Sequence, residues 1–148
     1  MSQNPYSAID LNLPADVHAI KDSLVETAGA GGNSAFKRQI DLWWMCLLIG
    51  VREGVRVKAT TVGPLVKFNT GVVLDSDAWR IVHIELIAMA AEGSNVLTEP
   101  NRVMSVAAEY AYGGASWILK HLGNQPSPLT ELSRLVNEFL DQAGPAAT

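Results

Sequence analysis

Cysteine is almost absent from this chain of 148 residues: Cys46 is the only one, so no disulfide can form within the chain. The immediate neighbours of Cys46 are apolar, and none of them would lower the pKa of its thiol. This pattern predicts a buried, unreactive cysteine. Because proteins without disulfides are typical of reducing compartments, we expect a cytoplasmic protein.

Long hydrophobic runs are absent as well. The longest uninterrupted apolar run covers residues 42–49, whereas a helix that crosses a bilayer takes about 20 residues. Residues 1–12 contain no basic stretch followed by an apolar one, so they do not resemble a signal peptide. We therefore expect no association with a membrane.

Histidine is scarce. The three histidines, His18, His83 and His121, include no pair at the i, i+4 spacing of a helical zinc site. His83 and Glu85 match the first half of a zinc-deaminase motif, but the two cysteines of its second half have no counterpart. No serine or carboxylate pattern typical of catalysis accompanies them. We predict no metal ion, no cofactor and no catalytic residue; a small enzyme with an unrecognised site is the weakest alternative.

Apolar residues, by contrast, make up 48% of the chain. A domain of this length can bury about 70% of the surface of its unfolded chain, so one hydrophobic core suffices. We expect residues 1–14 to be a flexible N-terminal arm, part of which can dock on the body through its apolar residues Tyr6, Ile9, Leu11 and Leu13. Residues 15–143 are expected to form a single helical domain and residues 144–148 a frayed tail. The spacing of apolar residues predicts a mainly α fold, a compact bundle of about five helices over residues 15–27, 35–51, 75–92, 100–122 and 129–143.

The segments between these helices differ in character. The glycine-rich residues 29–33 are interpreted as a connector, and anion binding at the start of the next helix is the alternative. Residues 55–74 are rich in β-branched residues and turn signals. They predict a small β-hairpin or an extended loop between the second and third helices.

The second predicted helix is apolar on every side from residue 42 onward. Such a helix is expected to be buried on every side, Leu48 included, either as the central helix of the fold or with one side against another subunit. We also expect Trp43, Trp44 and Trp79 in the core, with an exposed interface patch as the alternative.

Two adjacent glycines, Gly113 and Gly114, lie inside the fourth predicted helix. Together they cost about 2 kcal/mol relative to alanine in a helix interior. Another feature must offset this cost. The pair therefore predicts either the close approach of another backbone or a break in the helix.

The charge of the chain, −4 overall, is unevenly distributed. Residues 1–70 hold seven Lys or Arg against six Asp or Glu, whereas residues 71–148 hold four against nine. Because loops on a rigid scaffold commonly carry binding residues, we predict that the basic neighbourhood contacts a protein partner or the phosphates of DNA. A solvated edge is the alternative. The six candidate binding residues are Lys37, Arg38, Arg52, Arg56, Lys58 and Lys67.

Three motifs within residues 35–120 resemble one known family. They are Phe36-Lys37-Arg38-Gln39-Ile40-Asp41, Gly50-Val51-Arg52-Glu53-Gly54 and Glu109-Tyr110-Ala111-Tyr112-Gly113-Gly114. In order and spacing they resemble the small accessory proteins of DNA phosphorothioation (Dnd) systems known as dnd system-associated protein 4. The resemblance implies a bacterial, cytosolic component of a DNA modification or anti-phage defence system. It implies no catalytic residue.

These observations together predict a non-enzymatic accessory subunit of a bacterial DNA modification and restriction system. We expect it to bind a larger protein subunit of that defence system, and direct contact with double-stranded DNA is left open. The alternative is a DNA-binding regulator that uses the basic residues 37–67. Self-association into a homo-oligomer is also left open.

Overall fold

The computed structural model describes residues 4–26 and 34–143, and most of these residues are helical. The predicted mainly α fold and compact helical bundle are confirmed. The connector over 29–33 and the tail over 144–148 lie outside the described residues. The first predicted helix is divided into α1 and α2 at Ile20. The part of the chain that the structure describes contains six helices: α1 (Ala15–Ala19), α2 (Lys21–Leu24), α3 (Gln39–Glu53), α4 (Ala78–Glu92), α5 (Pro100–Leu122) and α6 (Pro128–Ala143).

A two-stranded antiparallel sheet joins the N-terminal arm to the segment between α3 and α4. Strand β1 (Asp10–Pro14) pairs with strand β2 (Leu65–Thr70) along its whole length. The small β element predicted within residues 55–74 is confirmed, and its second strand is supplied by the arm. A 3-10 turn over Gly71–Asp77 then leads from β2 into α4.

The arm packs against the body of the domain from residue 4 onward. Tyr6, Leu11 and Leu13 are each at most 2% exposed. The expected docking of part of the arm is confirmed at these side chains, and residues 4–14 are packed rather than flexible. Burial of these side chains and the backbone hydrogen bonds to β2 offset the entropy lost when the segment is ordered.

Helices α3 and α5 make the most extensive contact of the fold. A Cβ atom on Gly50 would lie 1.9 Å from the carbonyl oxygen of Tyr110, and one on Gly114 would lie 1.8 Å from that of Cys46. Only a hydrogen fits between two backbones at this separation. The close approach predicted from the glycine pair is confirmed, and α5 continues through the pair without a break.

Helix α3 forms the centre of the core, although one side of it meets solvent. Trp43 and Leu47 are fully buried, whereas Leu48 is 39% exposed. Leu48 thus lies outside the core of this chain, because no described element covers that side of α3, and the alternative that this side meets another subunit stays a prediction. Cys46 is buried as predicted, and its burial raises the pKa of the thiol to about 12.

Candidate protein-docking surface

The six basic residues predicted as a binding region do not form one surface. Arg38 and Arg52 lie at opposite ends of α3, about 21 Å apart along its axis. Lys37 and Lys58 are exposed and make no ion pair with any residue that the structure describes. Most of the remaining positive charge is offset within the chain by carboxylates: Arg38 faces Asp41 and Asp77, Arg52 faces Glu53, Arg56 faces Glu92 and Glu109, and Lys67 faces Asp10.

Arg56 has a structural role within this set. Its Nη2 atom lies 3.1 Å from Oε1 of Glu109, a residue that is only 8% exposed. The Arg56 guanidinium also lies over the ring of Tyr110, 5.4 Å from the centroid. Arg102 also contacts Glu109, with Nη1 3.5 Å from Oε2, so Arg56 is the nearer of two cations beside this carboxylate. Because a buried carboxylate is costly unless cations compensate it, Arg56 stabilises the fold.

We expect Arg56→Glu to lower the free energy of unfolding by about 3 kcal/mol, because it places a third carboxylate beside Glu92 and Glu109. Lys58→Glu, at an exposed site two residues away, should change it by less than about 0.5 kcal/mol. Chemical denaturation of both variants beside the wild type measures these values. Equal stability of the two variants would contradict the structural role of Arg56.

Helix α4 presents an uncharged, mostly apolar face to solvent. Trp79, Val82 and Leu86 are 50%, 54% and 56% exposed. Their spacing of three and four residues places them on one side of the helix, and the exposed residues His83 and Ala90 share this side. These five residues are named the α4 face. Apart from His83, the face offers a partner no ionisable group.

Helix α3 runs beside α4 in the same direction and widens this apolar region. Near the start of both helices, Nη2 of Arg80 lies 2.7 Å from Oδ1 of Asp41. Arg56, just beyond the end of α3, contacts Glu92 at the end of α4. The exposed Leu48 lies on α3 between these two contacts. Trp44, which contacts Trp79, lies one turn before Leu48 on the same side of α3, so Leu48 extends the apolar surface from the α4 face onto α3.

The ring of Trp79 is held in place from its inner side. Its centroid lies 5.5 Å from that of Trp44 and 5.8 Å from that of His83, both in edge-to-face geometry. The buried guanidinium of Arg80 lies 5.0 Å from the same ring. The predicted core position is thus right for Trp43 and Trp44 but wrong for Trp79, which is half exposed on a rigid support.

Asp41 is the centre of the charged network beneath this aromatic cluster. Its carboxylate accepts hydrogen bonds from Arg80 and from the backbone N–H and side chain of Arg38. Burial alone raises the pKa of the Asp41 carboxyl, but these hydrogen bonds outweigh burial and hold the pKa below its ordinary value. Arg38, predicted as a binding residue, therefore caps α3 and, through Asp77, ties it to the start of α4.

An open groove of about 1020 Å³ follows the edge of the α4 face. Val82 lines it together with two carboxylates, Asp75 and Glu85. Asn4 Nδ2 donates to Oδ1 of Asp75 at 2.8 Å, and the hydroxyl of Tyr6 donates to Oε1 of Glu85 at 2.7 Å. Burial and the neighbouring Glu85 raise the pKa of Tyr6, so its hydroxyl keeps its proton and remains a donor. The groove thus places negative charge beside an apolar face.

The second and third of the motifs that carry the family resemblance meet where α3 and α5 touch. Gly50 of the second motif lies against the backbone of Tyr110 in the third, and Gly114 lies against the backbone of α3. Glu109 accepts a hydrogen bond from the guanidinium that follows α3. Asp41 accepts one from the backbone N–H at the start of α3. Packing and capping account for the contacts of these residues.

The remaining tests for a site concern metals, membranes and known relatives. Within residues 4–26 and 34–143, no group of three or more His, Cys, Asp or Glu side chains is placed to hold a metal ion. In the same ranges, no helix combines the length and the apolar character that a membrane span requires. Comparison of the chain with models of protein families, with curated proteins and with solved structures gave no match.

Proposed function

We propose that this protein is a non-enzymatic accessory subunit that acts by binding a larger protein partner through the α4 face. The observation that carries the proposal is the exposure of Trp79, Val82 and Leu86, each at least half accessible to solvent. Clustered apolar side chains at helical spacing are typical of interaction sites, because their contact with water is unfavourable. A helix of the partner laid along α4 would bury all three together.

Trp79 is suited to be the main contact of this interface. Tryptophan is enriched among the residues that contribute most to binding energy. Because Trp44, His83 and Arg80 already hold the ring, little side-chain entropy is lost when a partner covers it. The apolar residues of the face carry no charge. Their burial therefore avoids the large cost of placing an unpaired charge in an interface.

The proposed setting is a bacterial DNA modification and restriction system that defends against phages, in the cytoplasm. This setting is supported by the resemblance of residues 35–120 to the Dnd-associated family. The partner would be a larger protein subunit of that system.

A DNA-binding regulator is the second candidate, and the exposed side chains of Lys37 and Lys58 favour it. It has less support because the other four predicted cations face carboxylates of the same chain. A protein that contacts several phosphates loses DNA affinity steeply as salt rises. DNA affinity that falls in this way and is lost in a Lys37→Glu, Lys58→Glu double variant would favour this candidate.

We expect Leu86→Glu to weaken partner binding about tenfold or more, since it removes an apolar contact and buries a carboxylate against the apolar side of the partner. Leu140→Glu is the matched control, because Leu140 is 65% exposed on α6 and receives the same substitution. Both variants should retain the wild-type melting temperature to within about 2 °C. The binding measurement is quantitative co-purification from the native host.

A photo-crosslinking residue at position 86 locates the contact directly. We expect an adduct with one larger protein, and no such adduct from the same residue at position 140. Identical adducts from both positions would contradict the assignment to the α4 face. Undiminished co-purification with a folded Leu86→Glu variant would contradict it as well.

A further inference from the structure

The charges beside the α4 face specify the chemistry of its partner, provided that the function proposed above is correct. We infer that the α4 face binds a basic amphipathic helix. The apolar side of that helix covers Trp79, Val82 and Leu86, and its Lys or Arg side chains reach Asp75 and Glu85 in the adjoining groove.

Asp75 and Glu85 differ from the other carboxylates around α3 and α4, which face guanidinium groups of this chain. Among the residues that the structure describes, each instead accepts a hydrogen bond from a neutral donor, Asn4 for Asp75 and Tyr6 for Glu85. A neutral donor fixes the position of one carboxylate oxygen and leaves the negative charge uncompensated. The groove therefore offers two oriented charges that a cation of the partner can reach.

The position of the two carboxylates sets the spacing of the complementary cations. Asp75 lies in the 3-10 turn before α4, and Glu85 lies two turns into the helix. They are ten residues apart in the chain, and both line the groove. A partner helix beside α4 would meet them with two Lys or Arg on one flank of its apolar stripe, where a spacing of about eleven residues, or three turns, keeps both on the same side of the helix.

The same charges argue against other occupants of the face. A second copy of this chain carries a net charge of −4 and would bring like charges together around the groove. A nucleic acid would place its phosphates beside Asp75 and Glu85. A basic helix is the partner for which the apolar burial and the electrostatic attraction act together.

The test uses two synthetic amphipathic helices that share a leucine face. One carries lysine at two flank positions about eleven residues apart, and the other carries glutamate there. Fluorescence anisotropy of labelled peptide measures the affinity of the full-length protein for each. We expect the lysine peptide to bind about tenfold more tightly, with a preference that declines as salt rises.

The decisive variant is the Asp75→Asn, Glu85→Gln double substitution, which keeps both oxygen acceptors and removes both charges. It should weaken binding of the lysine peptide about three- to tenfold and abolish the preference. The matched control is Asp16→Asn with Asp141→Asn, which removes two exposed charges on α1 and α6. The control should bind as the wild type does.

The outcomes separate the two proposals. Equal binding of both peptides that is lost in Leu86→Glu would overturn the basic-helix inference and leave the docking function of the α4 face intact. Binding that survives in Leu86→Glu would overturn both. Failure of the lysine peptide to bind overturns the inference, and so does a wild-type dimer in solution that Leu86→Glu converts to a monomer.

Discussion

Replacing Gly114 by leucine should remove much of the stability of the native fold. Even the first atom of the new side chain, its Cβ, would lie 1.8 Å from the carbonyl oxygen of Cys46 and 2.9 Å from the backbone nitrogen of Gly50. Backbone atoms of a central helix cannot rotate away as a side chain can, so α3 and α5 must separate. Overpacking that side chains can absorb costs about 1–3 kcal/mol, and we expect a loss of about 3 kcal/mol or more here.

Thermal unfolding, monitored by circular dichroism, measures this loss of stability. A loss of that size corresponds to a fall of about 10 °C or more in melting temperature for a domain of this length. Ser116→Leu is the control, because Ser116 lies two residues later on α5 and is exposed. If the two leucine variants have the same melting temperature, α3 and α5 do not pack as closely as the structure shows.

Removing the charge of Asp41 should have an effect of similar size. The Asp41→Asn variant keeps an oxygen acceptor for the backbone N–H at the start of α3, so the helix cap survives. It leaves the guanidinium of Arg80, whose side chain is only 8% exposed, without its closest carboxylate. Removing one partner of a buried ion pair typically costs about 3 kcal/mol or more, and we expect the free energy of unfolding to fall by that order.

The dependence on pH distinguishes this electrostatic role from a packing role. Because the pKa of the Asp41 carboxyl is lowered in the folded protein, its stabilisation is complete above the ordinary value of 3.8. The stabilisation is lost as the pH falls below 3.8 and through the lowered pKa. The difference in stability between wild type and Asp41→Asn should therefore be largest near neutral pH and shrink in acid.

Glu138→Gln provides the matched control for Asp41→Asn. Glu138 also pairs with an arginine, Arg134, but both side chains are about half exposed on α6. Exposed pairs of this kind contribute about 0.5 kcal/mol or less. A loss in Asp41→Asn no larger than in Glu138→Gln, or one that persists unchanged in acid, would refute the role assigned to the Asp41 network.

The local pattern of the sequence was sufficient to predict the two C-terminal helices. Apolar periodicity and an initial proline predict helices over 100–122 and 129–143, and the structure has them at Pro100–Leu122 and Pro128–Ala143. The proximity of another backbone at Gly113 and Gly114 was also predictable. The cost of two glycines in a helix is a local quantity, and it requires a compensating contact wherever the helix packs.

The α4 face could not be identified from periodicity alone. Helix α4 is apolar on both sides, with Ile84 and Ala88 inward and Trp79 and Leu86 outward. Both stripes have the spacing expected of a core face. Which of them is covered depends on elements that lie elsewhere in the chain, and in particular on the position of α5 and of the arm.

The sequence by itself determined the helical class, the buried single thiol and the need for a close backbone contact at the glycine pair, since each follows from residues near one another in the chain. Only the tertiary structure decided which charges are offset and which strands pair. Arg56 meets Glu109 across 53 residues, and β1 meets β2 across the whole of α3. Such contacts depend on how whole elements pack. Whether a charge is neutralised depends on which residues the fold places beside it. For this reason the predicted basic region was dispersed, while Asp75 and Glu85 remained open beside the exposed side chains of α4.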